Sequence, residues 1–173
     1  ATLTPISDTA LSEMANGVDF IFLATPHEAS HDWMPILSSG KAKVLDLSGA
    51  FRIKDTAVFE QFYGFPHTQT QSLAQAVYGL AEWHEAQIAS ADVIAVPGCY
   101  PTASLSALKP LAHNGLLDES VRPVINAVSG VSGAGRKASL TTSFFEVSLQ
   151  AYGVLGPRHT PEIEAYLGTP VIF

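Results

Sequence analysis

Three short apolar runs set the limits on what this chain can fold into. They are Val18-Asp19-Phe20-Ile21-Phe22-Leu23-Ala24, Lys43-Val44-Leu45-Asp46-Leu47-Ser48 and Ala91-Asp92-Val93-Ile94-Ala95-Val96. Each is short and almost continuously apolar, the pattern of a strand buried on both faces of a parallel sheet. Parallel neighbours need a crossover between them rather than a tight turn. The first two runs flank one: Thr25-Pro26-His27-Glu28 opens a helix that runs to about Ser38, and Gly40 closes it. Together they make a βαβ unit with a right-handed crossover. An earlier helix is expected over Asp8–Met14, capped by Ser7 or Asp8, with Gly17 just past its end.

The remaining segments are less regular. From Ile53 to about Glu85 the chain is turn-rich and aromatic, which predicts short helices and loops covering the sheet. A helix opening at Thr102 is expected to end near Lys109-Pro110, since an interior proline removes a backbone hydrogen bond. Pro123–Ser129 and Phe144–Leu149 read as strands, with the glycine-rich loop Gly130–Lys137 between them. Pro161–Leu167 reads as a helix with proline at its first position and acids in its first turn. Thr169–Phe173 reads as the start of another strand.

Of the 173 residues, 47% are hydrophobic and 14% charged, which fits a compact globular chain. The net charge of -7 argues against a nucleic-acid partner, which would need a basic face. No apolar run approaches the roughly 20 residues that span a bilayer, so no membrane is expected. The single cysteine cannot form an internal disulfide, which suits a reducing, cytoplasmic setting.

That cysteine, Cys99, lies in Val96-Pro97-Gly98-Cys99-Tyr100-Pro101-Thr102-Ala103-Ser104, where the third run turns into a helix. Unpaired backbone N–H groups and the positive end of the helix dipole converge at such a corner, a setting in which thiols become nucleophilic. The alternative is a small buried hydrophobe, a common fate of a lone cysteine. His159, in Pro157-Arg158-His159-Thr160-Pro161, is the natural proton carrier for thiol chemistry on a carbonyl; the alternative is a surface histidine near a helix start. Arg52, Arg136 and Lys137 follow glycine-containing loops at strand ends, where parallel sheets bind ligands; any one of them is equally readable as a surface cation. Ser129–Gly135 can cradle an anion or be a plain turn. His27 and His31 have i,i+4 metal-ligand spacing, but Glu28 is the one nearby third ligand, so no metal site is expected.

Six motifs carry a family resemblance. They are Phe20–Glu28, Asp46-Leu47-Ser48-Gly49-Ala50-Phe51-Arg52, Tyr78-Gly79-Leu80-Ala81-Glu82, Pro97-Gly98-Cys99-Tyr100-Pro101-Thr102, Ser129–Lys137 and Arg158-His159-Thr160-Pro161-Glu162-Ile163. In this order the chain resembles the N-acetyl-γ-glutamyl-phosphate reductases, relatives of aspartate-semialdehyde dehydrogenase in arginine biosynthesis. The resemblance implies an α/β fold: a partial Rossmann-type parallel sheet followed by the first part of an α+β substrate and dimerisation domain. Residues 1–98 would be the latter part of the dinucleotide-binding domain and residues 99–173 the start of the catalytic and dimerisation domain.

It further implies that Cys99 attacks an acyl phosphate to form a thioester, which NADPH reduces to an aldehyde while His159 moves the proton. Ala24, Thr25, Pro26, Ser48, Gly49, Ser129, Gly130, Ser132 and Gly133 would lie against NADP(H). Arg52, Arg136 and Lys137 would hold the phosphate or carboxylate of the small-molecule substrate. The intact protein would be a homo-oligomer, a dimer or tetramer.

The chain departs from the family pattern at Pro157, which replaces the first histidine of His-Arg-His, and in having no Gly-x-x-Gly-x-x-Gly loop before Gly17. It lacks an initial methionine and stops within a strand-like run, so an internal segment is expected, with weak or no cofactor binding by itself. Two other readings stand beside the reductase. One is a thiol-dependent acyl-transferase or hydrolase without hydride transfer; the other is a non-catalytic folding or oligomerisation fragment.

Overall fold

The computed structural model describes residues 3–135, 138–143, 145, 148–149, 151 and 158–173. They form two compact units, 1–103 and 104–173. The first is built on a four-stranded parallel sheet: β1 (Phe20–Leu23), β2 (Lys43–Asp46), β3 (Val77–Tyr78) and β4 (Val93–Ala95), ordered β1-β2-β4-β3. The parallel α/β class expected from the three apolar runs is what forms. Strand β3 is the addition, two residues long and hidden in the aromatic region.

Register puts Leu23, Asp46, Ala95 and Tyr78 side by side at the carboxyl ends of the four strands. The ladder continues one residue further, through Leu47 N–H to Leu23 O (3.0 Å), Val96 N–H to Asp46 O (2.9 Å) and Gly79 N–H to Ala95 O (2.8 Å). All four chains therefore leave the sheet along one edge.

Helix α1 (Asp8–Gly17) starts where Ser7, in extended backbone, accepts a hydrogen bond from Ala10 N–H (3.2 Å). Its buried Leu11 and Ala15 are one helical turn apart, on the face that packs on α2 (His27–Leu37). Helix α2 turns Met34 and Leu37 to the core, where they meet Ile21, Leu23, Val44, Phe51, Val93 and Ala95. Each such side chain contributes about 1.5–3 kcal/mol when fully buried. Strand β4 is buried on both faces as expected, but β1 is not. Ile21 and Leu23 are buried, whereas Phe20 and Phe22 stand 58% and 65% exposed. The helices of this unit cover the Ile21 face of β1 and leave the other open.

The aromatic stretch folds into α3 (Thr56–Tyr63), α4 (Thr70–Gln75) and, after β3, α5 (Ala81–Ser90). Asp55 starts α3 by accepting from Ala57 and Val58 N–H (2.9 and 3.1 Å). Lys54 Nζ donates to the carbonyls of Leu73 and Ala76, gripping the C-terminal end of α4. Phe59 stacks on Tyr63 and meets Phe65 and His67 edge-on.

Two histidines are built into this layer. A carbonyl only accepts, so His67 donates its Nε2–H to Ala50 O (2.9 Å); its buried Nδ1 has no partner among the described residues. A backbone N–H only donates, so His31 Nε2 accepts from Thr68 N–H (3.1 Å) and its Nδ1–H donates to Asp32 Oδ1 (2.8 Å). The i,i+4 pair is thus spent differently: His31 locks the loop at Thr68, while His27 stacks with Phe65.

Helix α6 (Cys99–His113) passes from the first unit into the second. It does not stop at Pro110. That proline lacks one donor, but its carbonyl accepts from Asn114 N–H (3.3 Å), so the turn is resumed beyond it. In the second unit the strands expected at 123–129 and 169–173 reduce to one parallel bridge, Val124 with Ile172. Ile125 N–H donates to Ile172 O and Ile172 N–H to Pro123 O (2.7 and 2.9 Å), with no further pairing to extend the ladder among the described residues. Val131–Ala134 and Leu140–Thr142 are 3₁₀ turns. Phe144, Glu146 and Val147, on which a strand at 144–149 depends, lie outside the described residues, as does Pro157. Helix α7 (His159–Leu167) begins two residues before Pro161 and buries Ile163, Leu167 and Glu162. Lys109 Nζ donates to Tyr166 O (2.5 Å), tying α6 to α7.

Burial, with His31 and Lys54 adding like charge, lowers the His67 pKa from 6.5 to about 4. The unfolded chain then binds the proton more readily than the folded one. The His67 contribution to stability is fully present above pH 6.5 and is lost as pH falls toward 4. Urea unfolding at pH 7 and pH 4.5 should show a drop to which His67 contributes about 2 kcal/mol. His67→Gln, which keeps a donor for Ala50 O, should make that drop smaller.

Candidate active site

Every sequence-predicted site residue of the first unit lies on the carboxyl edge of the sheet. After β1 come Ala24, Thr25 and Pro26; Ala24 and Pro26 are exposed and Thr25 is half-buried. Pro26 precedes α2 and offers no side-chain cap to the first N–H groups of that helix. After β2 come Ser48 and Gly49. Gly49 approaches Tyr63 so closely that an added Cβ would sit 2.2 Å from the phenol oxygen. After β4 comes the turn to Cys99, the first residue of α6, whose thiol is free and exposed. Cys99 is therefore not the small buried hydrophobe of the alternative reading.

Thr102 Oγ1 donates to Gly98 O (2.8 Å), and its N–H to the same carbonyl (2.9 Å), pinning the first turn of α6 behind the thiol. Pro101 is buried within that turn, where its missing N–H costs nothing.

Beneath this corner lies Arg52. It is 8% exposed, donates Nε–H to Val96 O (2.7 Å) and Nη2–H to Leu47 O (2.9 Å), and thereby joins the ends of β2 and β4. A Cβ on Gly98 would come within 3.0 Å of its Nη1, so glycine gives the guanidinium room under the turn. Arg52 is not the ordinary surface cation of the alternative reading.

Asp46 is wholly buried between these turns. Its Oδ1 accepts from Ser48 N–H (3.0 Å), and Ser48 Oγ accepts in turn from Ala50 N–H (3.1 Å). Burial pushes the Asp46 carboxyl above the usual carboxylate range, against the opposing pull of Ser48, Ser30 and the Arg52 charge. Sequence reading overlooked Asp46 and Ser30. The available signal was an acid inside an apolar strand run, since buried carboxyls are rare without a partner.

In the second unit, His159 is the first residue of α7, half-buried, with its ring 6.3 Å from that of Phe173. Burial and the neighbouring Glu162 raise the Tyr166 phenol above its usual pKa one turn further along. Ser129, Gly130, Ser132 and Gly133 are exposed around the Val131–Ala134 turn. Arg136 and Lys137 lie outside the described residues. The structure thus gathers the strand-end residues of the first unit along one edge, and holds His159 and the glycine-rich loop in the second unit.

Comparison with known proteins decides what kind of edge this is. Residues 2–91 match the family model of the semialdehyde dehydrogenase NAD-binding domain, and residues 99–172 that of the semialdehyde dehydrogenase dimerisation domain. The chain belongs to the semialdehyde dehydrogenase family. It is 99% identical over all 173 residues to an N-acetyl-gamma-glutamyl-phosphate reductase of Alteromonas mediterranea, of which it covers 51%. Proteins of the same name from Pseudoalteromonas atlantica and Photorhabdus laumondii are 70% and 56% identical over 171 residues, 99% of this chain and 50% and 51% of theirs. The chain spans about half the length of the curated relatives it matches. No helix among the described residues is long and apolar enough to cross a membrane.

Arg52→Lys keeps the charge but cannot donate to Leu47 O and Val96 O together in a fixed fork. It should lose about 2 kcal/mol of stability, on the order of one charged hydrogen bond. Urea denaturation of the two proteins at pH 7 measures that loss.

Proposed function

We propose that this chain is the cysteine-bearing half of an NADP(H)-dependent reductase that converts N-acetyl-γ-glutamyl phosphate to N-acetylglutamate 5-semialdehyde in arginine biosynthesis. The observation that carries the reading is the exposed Cys99 thiol at the first position of α6, on the carboxyl edge of a parallel sheet, in a chain so close to proteins of that name. Cys99 attacks the acyl carbonyl, the bond to phosphate breaks and phosphate leaves, giving a thioester. Bound NADPH supplies the hydride that reduces it. His159 protonates the alkoxide that develops and takes the proton back as the aldehyde departs, freeing the thiolate.

Ala24, Thr25, Pro26, Ser48 and Gly49 would hold the cofactor. The exposed Ala24 and Pro26, the half-buried Thr25 and Gly49 and the uncapped start of α2 suit a dinucleotide, whose phosphates favour helix N-termini. Ser129, Gly130, Ser132 and Gly133 are assigned to the same cofactor from the sequence pattern. Arg136 and Lys137 are assigned to the phosphate or carboxylate of the substrate. Arg52 is assigned to the substrate as well, its guanidinium already anchored on one side by two carbonyls. The cofactor domain would extend to residue 98 and the catalytic and dimerisation domain begin at 99. A homo-oligomer is proposed from the dimerisation-domain match, and a cytoplasmic setting from the exposed lone thiol.

The test is NADPH oxidation, followed by its absorbance, by the full-length protein supplied with the acyl phosphate. Cys99→Ser should lower kcat by about 10³ or more, and His159→Asn by about 10². Acyl-phosphate consumption without NADPH oxidation would replace this reading with a thiol-dependent acyl-transferase or hydrolase. No consumption at all would leave a folding or oligomerisation unit.

A further inference from the structure

Each of the two turns assigned to the cofactor is held by a buried side chain that was given no role in the sequence reading, Ser30 for one and Asp46 for the other. Thr25, in the turn after β1, shares a 2.7 Å hydrogen bond between its Oγ1 and Ser30 Oγ. Ser30 lies in α2 and is wholly buried. Asp46 ends β2, and its Oδ1 holds Ser48 N–H (3.0 Å); Ser48 Oγ then holds Ala50 N–H (3.1 Å). Two separate sets of bonds thus hold the two turns, which leave neighbouring strands at the point where Leu23 lies opposite Asp46.

One atom sets this arrangement apart from ordinary core packing. Asp46 Oδ2 is buried and has no hydrogen-bond partner among the described residues. Burying a carboxyl with one oxygen unmatched is unfavourable, and an apolar side chain of similar size would avoid it. What an apolar side chain cannot supply is the acceptor for Ser48 N–H. That acceptor sets the direction in which the Ser48-Gly49 backbone leaves the strand, and the Ser30 hydroxyl does the same for Thr25.

We propose that Asp46 and Ser30 are positioning residues for the cofactor, Ser30 holding the Thr25-Pro26 turn and Asp46 the Ser48-Gly49 turn so that both meet the dinucleotide at once. This rests on the reductase reading given above. Neither side chain is exposed, so both act through Thr25 and Ser48 rather than by touching NADP(H) themselves.

The experiment titrates NADPH by its fluorescence against the full-length protein and measures steady-state kinetics for the same variants. Asp46→Ala and Ser30→Ala should each weaken NADPH binding and raise its KM about tenfold, equivalent to ~1.4 kcal/mol. The KM for the acyl phosphate, and kcat at saturating NADPH, should stay within about threefold of the parent value. Asp46→Asn keeps an oxygen for Ser48 N–H and should restore NADPH affinity to within about threefold. Ser72→Ala, another buried serine but in α4 away from these turns, should lower the thermal midpoint and leave NADPH affinity unchanged.

If Asp46→Ala does not fold, Ser30→Ala and Asp46→Asn decide the matter alone. Unchanged NADPH affinity in Ser30→Ala overturns the proposal, as does Asp46→Asn weakening it tenfold. A loss shared equally by NADPH and the acyl phosphate, in step with the thermal midpoint, also overturns it. Failure of the parent protein to bind NADPH is a different result: it removes the reductase reading itself and this proposal with it.

Discussion

The parallel pairing of β2 with β4 is the constraint on which the first unit depends. Val44 opposite Val93 and Asp46 opposite Ala95 align the two strands, and their sequence separation is filled by everything from Leu47 to Asp92. Parallel neighbours cannot be closed by a two-residue hairpin, so the chain must return to the other end of the sheet each time. Helix α2 makes that return between β1 and β2, and α3 to α5, with β3 among them, make it between β2 and β4. The consequence is that each strand ends on the same edge. Peptide groups that have just left the ladder gather there, and Arg52 takes up two of their carbonyls from beneath.

That edge uses polarity in two different ways. On its outer side are groups left open to solvent: the Cys99 thiol, the Ala24 and Pro26 turn, and the start of α2. On its inner side are groups held away from water, namely Asp46, Ser30, Ser48, Arg52 and, a layer further, His31 and His67. The inner groups bond mostly to backbone, to Leu47, Val96, Ser48, Ala50 and Thr68. Polar atoms in such a place define one backbone arrangement, because any other leaves them unmatched in a medium of low dielectric.

The sequence was most readable where local chemistry and tertiary packing agree. Apolar runs mark β1, β2 and β4, Ser7 marks the start of α1, and the Pro-Gly-Cys corner lies at the start of α6. It was least readable where partners are distant. Strand β3 is two residues long, and nothing near Val77-Tyr78 signals that Ile94 and Ala95 will be their neighbours. The exposure of Phe20 and Phe22 cannot be seen in a run that is apolar on both sides. Pro110 suggested a helix end because a local rule was applied alone, while the carbonyl of the same residue carries the helix on to His113. Among the candidate site residues, the exposed cysteine corner and the strand-end turns were legible from glycine, proline and spacing. The burial of Asp46 and Ser30 was not, because it is set by the elements packed around them.

The strand order also governs the sequence of events when the chain is made from its N-terminus. Strand β4 lies between β2 and β3, so β3 has no neighbour to pair with until Val93–Ala95 have emerged. Until then, a newly made chain holds the β1–α2–β2 unit with one side of β2 open and the aromatic segment undocked. Domains form as units during synthesis at about 5–20 residues per second, so this interval lasts seconds. Strand β4 is the last of the four to be made, and it is followed closely by Pro97, Gly98 and Cys99. The Cys99 thiol is thus delivered only after the four strands have been made, which shortens the time a nascent chain displays that thiol without its fold.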